Sequence, residues 1–155
     1  DMIKRAINVL NIQGLLKKQF DKKTLLYRSQ PKVKKGEVEE NAELSSLIKI
    51  VGKFSGEARF LYKPHARDSK EKIEKYKRAI PNMEIFNSKV PVELLYAIEP
   101  NLEAVISYAS SGLIFGDKFA NRHIKMFSLA GISCKAVDSS ALKTLQNAGV
   151  VFIQQ

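Results

Sequence analysis

The segment Arg59-Phe60-Leu61-Tyr62-Lys63-Pro64-His65-Ala66-Arg67-Asp68 decides how the chain folds, because an apolar run passes directly into a set of cationic and reactive side chains. Arg59–Tyr62 has the aromatic, apolar composition of a short buried strand. Pro64 ends it, since proline has no N–H for a sheet ladder and biases the residue before it to extended geometry. Asp68 and Ser69 then stand where a helix beginning at Lys70 needs its cap. Lys63, His65 and Arg67 are therefore expected at the turn between a strand's carboxyl end and a helix, where open α/β sheets hold their ligands.

Upstream of this turn, Thr24–Arg28 reads as a strand, Ser29-Gln30-Pro31 as its exit and residues 32–40 as a polar loop. Asn41 is expected to cap a helix in which Leu44, Leu47, Ile48 and Val51 recur at helical spacing, with Gly52 and Gly56 ending it. Downstream, Lys70–Ala79 is a densely charged helix whose Lys/Glu pairs are expected to be solvated. Met83–Asn87 reads as a strand, Val90-Pro91 opens a helix, and Leu102–Tyr108 is the strongest strand. Residues 113–127 are expected to be helical, with His123 on the surface beside Arg122 and Lys125. Ile132–Val137 reads as a strand with Cys134 in the core, Ser140–Asn147 as a helix and Val150–Ile153 as the last strand. Strands alternating with helices across short loops predict an α/β, Rossmann-like, mostly parallel sheet covered by helices on both faces. No GxGxxG or P-loop pattern accompanies it, which removes the usual signatures of dinucleotide and nucleoside-triphosphate binding.

A chain of 155 residues with 45% hydrophobic content is long enough to bury one substantial core. The formal net charge is +10, and +8 of it falls in residues 1–36, so the remainder is nearly neutral. Such an excess favours anionic partners. Residues 1–23 form a basic segment of helical or linker character: Ile3, Ile7 and Leu10 share a helical face within Met2–Asn11, and Lys17, Lys18, Lys22 and Lys23 surround Phe20. Residues 4–23 are thus either a solvated basic face or a surface for peripheral contact with anionic lipid. Residues 24–155 form the folded domain. With only Phe20 and Tyr27 interleaved among the early cations, stacking on nucleic acid has little support. One cysteine excludes an internal disulfide, and no apolar run approaches the roughly 18–20 residues of a membrane span. A cytoplasmic protein is expected, with peripheral contact at the inner face of the cell membrane as an option; the start at Asp1 suggests a fragment or a processed product.

A parallel sheet brings its strands' carboxyl ends to one edge, so three clusters are expected to meet there. They are Lys63, His65 and Arg67; Glu93 near a helix start; and Ser110-Ser111 at the start of the helix after the strongest strand. Hydroxyls and free N–H groups at a helix start suit phosphate, and a carboxylate suits ribose hydroxyls. A nucleotide monophosphate site is the combined reading; for the serines a simple capping role stays open, and for His65 a surface position. No His/Cys/Asp cluster has metal-ligand spacing, so no metal or other cofactor is expected.

Tyr62-Lys63-Pro64-His65-Ala66-Arg67-Asp68 resembles the K-P-H-P-R segment, followed by Glu or Asp, of bacterial sialyltransferases with two Rossmann-like lobes. Those enzymes modify lipooligosaccharide or build polysialic acid capsules. Val90-Pro91-Val92-Glu93-Leu94-Leu95 is similar to their P-x-E-x-L segment, Ser107-Tyr108-Ala109-Ser110-Ser111 to their paired serines, and Leu25-Leu26-Tyr27-Arg28-Ser29-Gln30-Pro31 to the strand and Q-P turn that open their C-terminal lobe. The four segments occur in the family's order; Ala66 departs from the second proline. The resemblance implies one lobe of a GT-B type glycosyltransferase that binds CMP-sialic acid and transfers sialic acid to an oligosaccharide or polysaccharide acceptor by metal-free inversion. It implies catalytic His65 acting on the leaving phosphate, with Lys63, Arg67, Glu93, Ser110 and Ser111 holding the nucleotide, and a carboxylate base, for which Glu37 is the expected residue. It also implies an N-terminal acceptor lobe that these residues do not supply. Two other readings are a CDP-glycerol phosphotransferase, which shares the K-P-H segment and a serine cluster, and a non-catalytic anion-binding module built on the basic leading segment.

Overall fold

Strand β1 (Thr24–Arg28) forms because Leu25, Leu26 and Tyr27 are apolar on both faces, as a strand buried on two sides requires. The structure, a computed structural model, describes residues 20–154 apart from Ser55, Glu57, Lys89 and Asn121. The helix expected within Met2–Asn11 lies outside them.

The chain continues through α1 (Glu40–Val51), β2 (Arg59–Lys63), α2 (Lys70–Ala79), β3 (Met83–Ile85), α3 (Val92–Ile98) and β4 (Leu102–Ser107). It then forms α4 (Ser111–Ile114), α5 (Gly116–Phe119), β5 (Lys125–Ser128), a 3-10 turn at Ala130–Ile132, α6 (Ser139–Asn147) and β6 (Val151–Phe152). The sheet has six strands in the order β3-β2-β1-β4-β5-β6, and every neighbouring pair is parallel. This is an α/β, Rossmann-like fold. Leu25 and Tyr27 face α1 and α2 together with Leu47, Ile50 and Tyr76, whereas Leu26 faces α3 and α6 together with Leu95 and Leu145. The chain changes faces in α3, between β3 and β4, which puts β1 beside β4 at the centre and makes that junction the topological switch point.

Several expectations change. The region 113–127 is not one helix: only Ser111–Ile114 and Gly116–Phe119 are helical, and Lys125–Ser128 is the fifth strand, in register with Ala104–Ser107. Ile132–Val137 is not a strand; Ile132 closes the 3-10 turn, and Cys134 is exposed in the following loop, where its N–H donates to the Glu37 carbonyl at 2.8 Å. Gly131 shows why the chain turns there, because a Cβ on it would stand 2.4 Å from the Ile153 carbonyl oxygen. Helix α1 starts at Glu40 rather than behind an Asn41 cap, with Glu40 and Glu43 in its first turn, where the helix dipole favours acids. Ile50, not the exposed Ile48, completes its buried face.

Candidate functional site

The residues that matter follow the ends of β1, β2 and β4. At the switch point the chain leaves β4 through Tyr108 and Ala109 to Ser110, whose backbone is extended and whose Oγ accepts the Gly112 N–H at 3.3 Å. Arg28, the last residue of β1, crosses the junction and donates from Nη1 to the same Oγ at 3.2 Å. With two N–H groups directed at its oxygen, the Ser110 hydroxyl keeps its own proton to donate elsewhere. Ser111 beside it is exposed. Helix α4 is only four residues long, so its dipole adds little and the individual donors define the site.

Glu93 lies in the first turn of α3 and is half-buried. One turn on, the Tyr96 hydroxyl donates to the Gly112 carbonyl at 2.6 Å, pinning α3 to the serine turn. Burial raises the Tyr96 pKa most, Glu93 raises it further and Arg28 opposes, so the three groups share one electrostatic neighbourhood. Gly112 is the residue that allows this approach, since a Cβ there would meet Val92 Cγ1 at 3.0 Å. Arg28, Glu93, Ser110 and Ser111 are thus brought to one place.

Lys63 ends β2 beside Arg28. Its Nζ donates to the Ser88 carbonyl and, at 3.4 Å, to the Val90 carbonyl, and it rests 5.1 Å from the Phe86 ring centre. Burial, and after it the Arg28 charge, lowers its pKa. His65 follows in a turn fixed by Asp68: the His65 N–H donates to Asp68 Oδ2 at 2.9 Å, and the Asp68 N–H returns to the His65 carbonyl at 2.9 Å. His65 Nδ1 accepts the Arg67 N–H at 3.1 Å. A neutral imidazole held this way carries its proton on Nε2 and presents it as a donor. The Arg67 side chain is exposed.

Behind the turn lies a buried ionic cluster. Lys72, 5% exposed, pairs with Glu43 at 2.8 Å and with Asp68 at 3.2 Å. Glu43 also accepts the Tyr76 hydroxyl at 2.8 Å and the Tyr108 hydroxyl, while Asp68 accepts the Tyr62 hydroxyl at 2.8 Å. The charged helix is therefore not solvated throughout, as its composition suggests, because Lys72 faces inward to neutralise α1. Burial alone pushes the Asp68 pKa up, but Ser29, Lys72, the His65 N–H and Tyr62 outweigh it and hold the carboxyl below its ordinary value.

Glu37 lies on the loop between β1 and α1, tied to the segment that follows β5. Its carboxylate is paired with Lys32, which lowers its pKa most, with Lys35 and Lys135 adding to the effect. Its carbonyl accepts the Cys134 N–H and the Ser133 hydroxyl at 2.8 and 3.2 Å. No hydrogen bond or ion pair joins it to His65 among the described residues. A carboxylate with a lowered pKa and a lysine partner is poorly matched to proton abstraction near neutral pH.

Sequence reasoning passed over Arg28, Asp68 and Glu43 as working residues. Arg28 had a readable signal as the terminal charge of a buried strand, and Glu43 as an acid sharing the Leu47 and Ile50 face. Among the described residues no three His, Cys, Asp or Glu side chains converge to hold a metal ion, and no helix is long and apolar enough to cross a membrane. No protein-family model matches the chain, and no curated protein matches it.

Proposed function

We propose that the carboxyl edge of this sheet binds the cytidine monophosphate part of CMP-sialic acid, and that the chain is the donor lobe of a GT-B type sialyltransferase acting on a glycan at the cytoplasmic face of the membrane. What supports the reading above all is the Ser110 hydroxyl, held between Arg28 and the Gly112 N–H with its proton free for an anion, beside a half-buried Glu93. The serines and Arg28 meet the phosphate, and Glu93 accepts from the ribose hydroxyls. His65, with its proton on Nε2, donates to the phosphate as the bond from the anomeric carbon to the phosphate oxygen breaks and CMP takes the electron pair. The acceptor oxygen forms the new bond to that carbon from the opposite side and loses its proton to a base. Glu37 is paired with Lys32 and is free for that role only when the pair opens.

Calorimetric titration with CMP, cytidine and CDP-glycerol tests the reading. CMP is expected to bind saturably, and replacing Ser110 and Ser111 by alanine is expected to cost about 1.5–3 kcal/mol for each lost hydrogen bond to a charged group. Cytidine binding should change little. Equal losses for CMP and cytidine would separate the serines from the phosphate, and a clear preference for CDP-glycerol would point to glycerophosphate transfer instead.

A further inference from the structure

We infer that Arg28, not Lys63, is the cation that grips the anion at this edge, and that Lys63 is a strut for the loop leading to α3. The two side chains leave paired positions on β1 and β2 and diverge. Lys63 turns toward β3: its ammonium is occupied by the carbonyls of Ser88 and Val90 and sits over the Phe86 ring. Those contacts fix the chain just before Pro91, and so fix where α3 presents Glu93. The Arg28 side chain turns the other way, to β4 and the switch point, where it donates to Ser110. The remaining donors of its half-buried guanidinium have no hydrogen-bond partner among the described residues.

A planar fork with donors to spare, at a strand's carboxyl end and next to the Ser110 hydroxyl, suits the tetrahedral oxygens of a phosphate ester, which it can meet with parallel N–H bonds. Lysine offers a point charge without that geometry. The inference rests on the site proposed above but not on its nucleotide, because the chemistry it names is the phosphate group.

Binding of inorganic phosphate, CMP and cytidine to the full chain, followed by calorimetry and 31P NMR, distinguishes the two cations. Arg28→Ala is expected to weaken phosphate and CMP roughly 10- to 100-fold and to leave cytidine unchanged. Lys63→Met should leave phosphate affinity within about threefold while lowering the melting temperature. If Arg28→Ala does not fold, Arg28→Lys keeps the charge and should still lose most of the preference for CMP over cytidine. Phosphate binding that survives in both Arg28 variants, or a loss in Lys63→Met as large as in Arg28→Ala, overturns the assignment. Arg28-dependent binding of phosphate with no gain from the cytidine moiety would keep this inference and sink the nucleotide reading. CMP binding that ignores Arg28 would do the reverse.

Discussion

Tyr27 and Tyr76 are both fully buried and both lie within the electrostatic reach of Glu43, yet their hydroxyls are in opposite circumstances. The Tyr76 hydroxyl donates to the Glu43 carboxylate at 2.8 Å, whereas the Tyr27 hydroxyl has no hydrogen-bond partner among the described residues. Removing the first loses a bond to a charged acceptor, and removing the second relieves an unmet desolvation cost. Tyr76→Phe is therefore expected to destabilise by about 1.5–3 kcal/mol and Tyr27→Phe to be neutral or stabilising by about 1 kcal/mol, read from urea unfolding. Comparable losses in both would mean that the Tyr27 hydroxyl is satisfied. At this scale the sequence located Lys63, His65, Ser110 and Glu93 near strand and helix ends, because proline and serine punctuate those ends visibly. It could not tell which strand ends are neighbours. The partnership of Arg28 with Ser110 spans 82 positions and exists only because β1 and β4 are adjacent.

Helix α2 shows how an element can carry two roles in one charge pattern. Lys75 pairs with Glu40 near the surface, at 2.8 Å with side chains 41% and 32% exposed, whereas Lys72 is the cation between two buried carboxylates. Exposed pairs are worth about 0–1 kcal/mol, but removing one member of a buried pair costs about 3–5 kcal/mol because a charge is left uncompensated. Lys72→Met should fall in the second range and Lys75→Met in the first; equal small effects would show that water reaches Glu43. The helix limits at Lys70 and Ala79 were legible from the Ser69 cap and the Pro81 that follows, and Ser69 does accept the Lys72 N–H at 3.1 Å. The inward turn of Lys72 was not, since its need arises on α1. The fifth strand was hidden for a related reason: Lys125–Ser128 is four residues long, with one exposed lysine, and its strand character comes from pairing with β4.

For the whole molecule, alternating apolar strands and polar helix starts were enough to predict a parallel sheet covered on both faces. The strand order, and with it the switch point, was supplied by the structure. Among the described residues two basic regions are candidates for an anion. One is the carboxyl edge, with Arg28, His65 and the serine turn; the other is a hollow at the opposite edge, where Lys23, Lys53 and Lys125 surround Phe54 and Lys125 sits 5.2 Å from its ring. Unshared N–H and hydroxyl donors favour the first, and exposed lysines, one of them paired with Glu103 at 3.4 Å, make the second a weak, salt-sensitive attractor. A map of backbone amide shifts during titration with CMP decides between them. The account predicts saturable shifts centred on Arg28, His65, Glu93 and Ser110–Gly112, with residues 132–137 and the opposite edge unmoved. Shifts centred on Lys23, Lys53 and Lys125, or on the loop around Cys134, would contradict it.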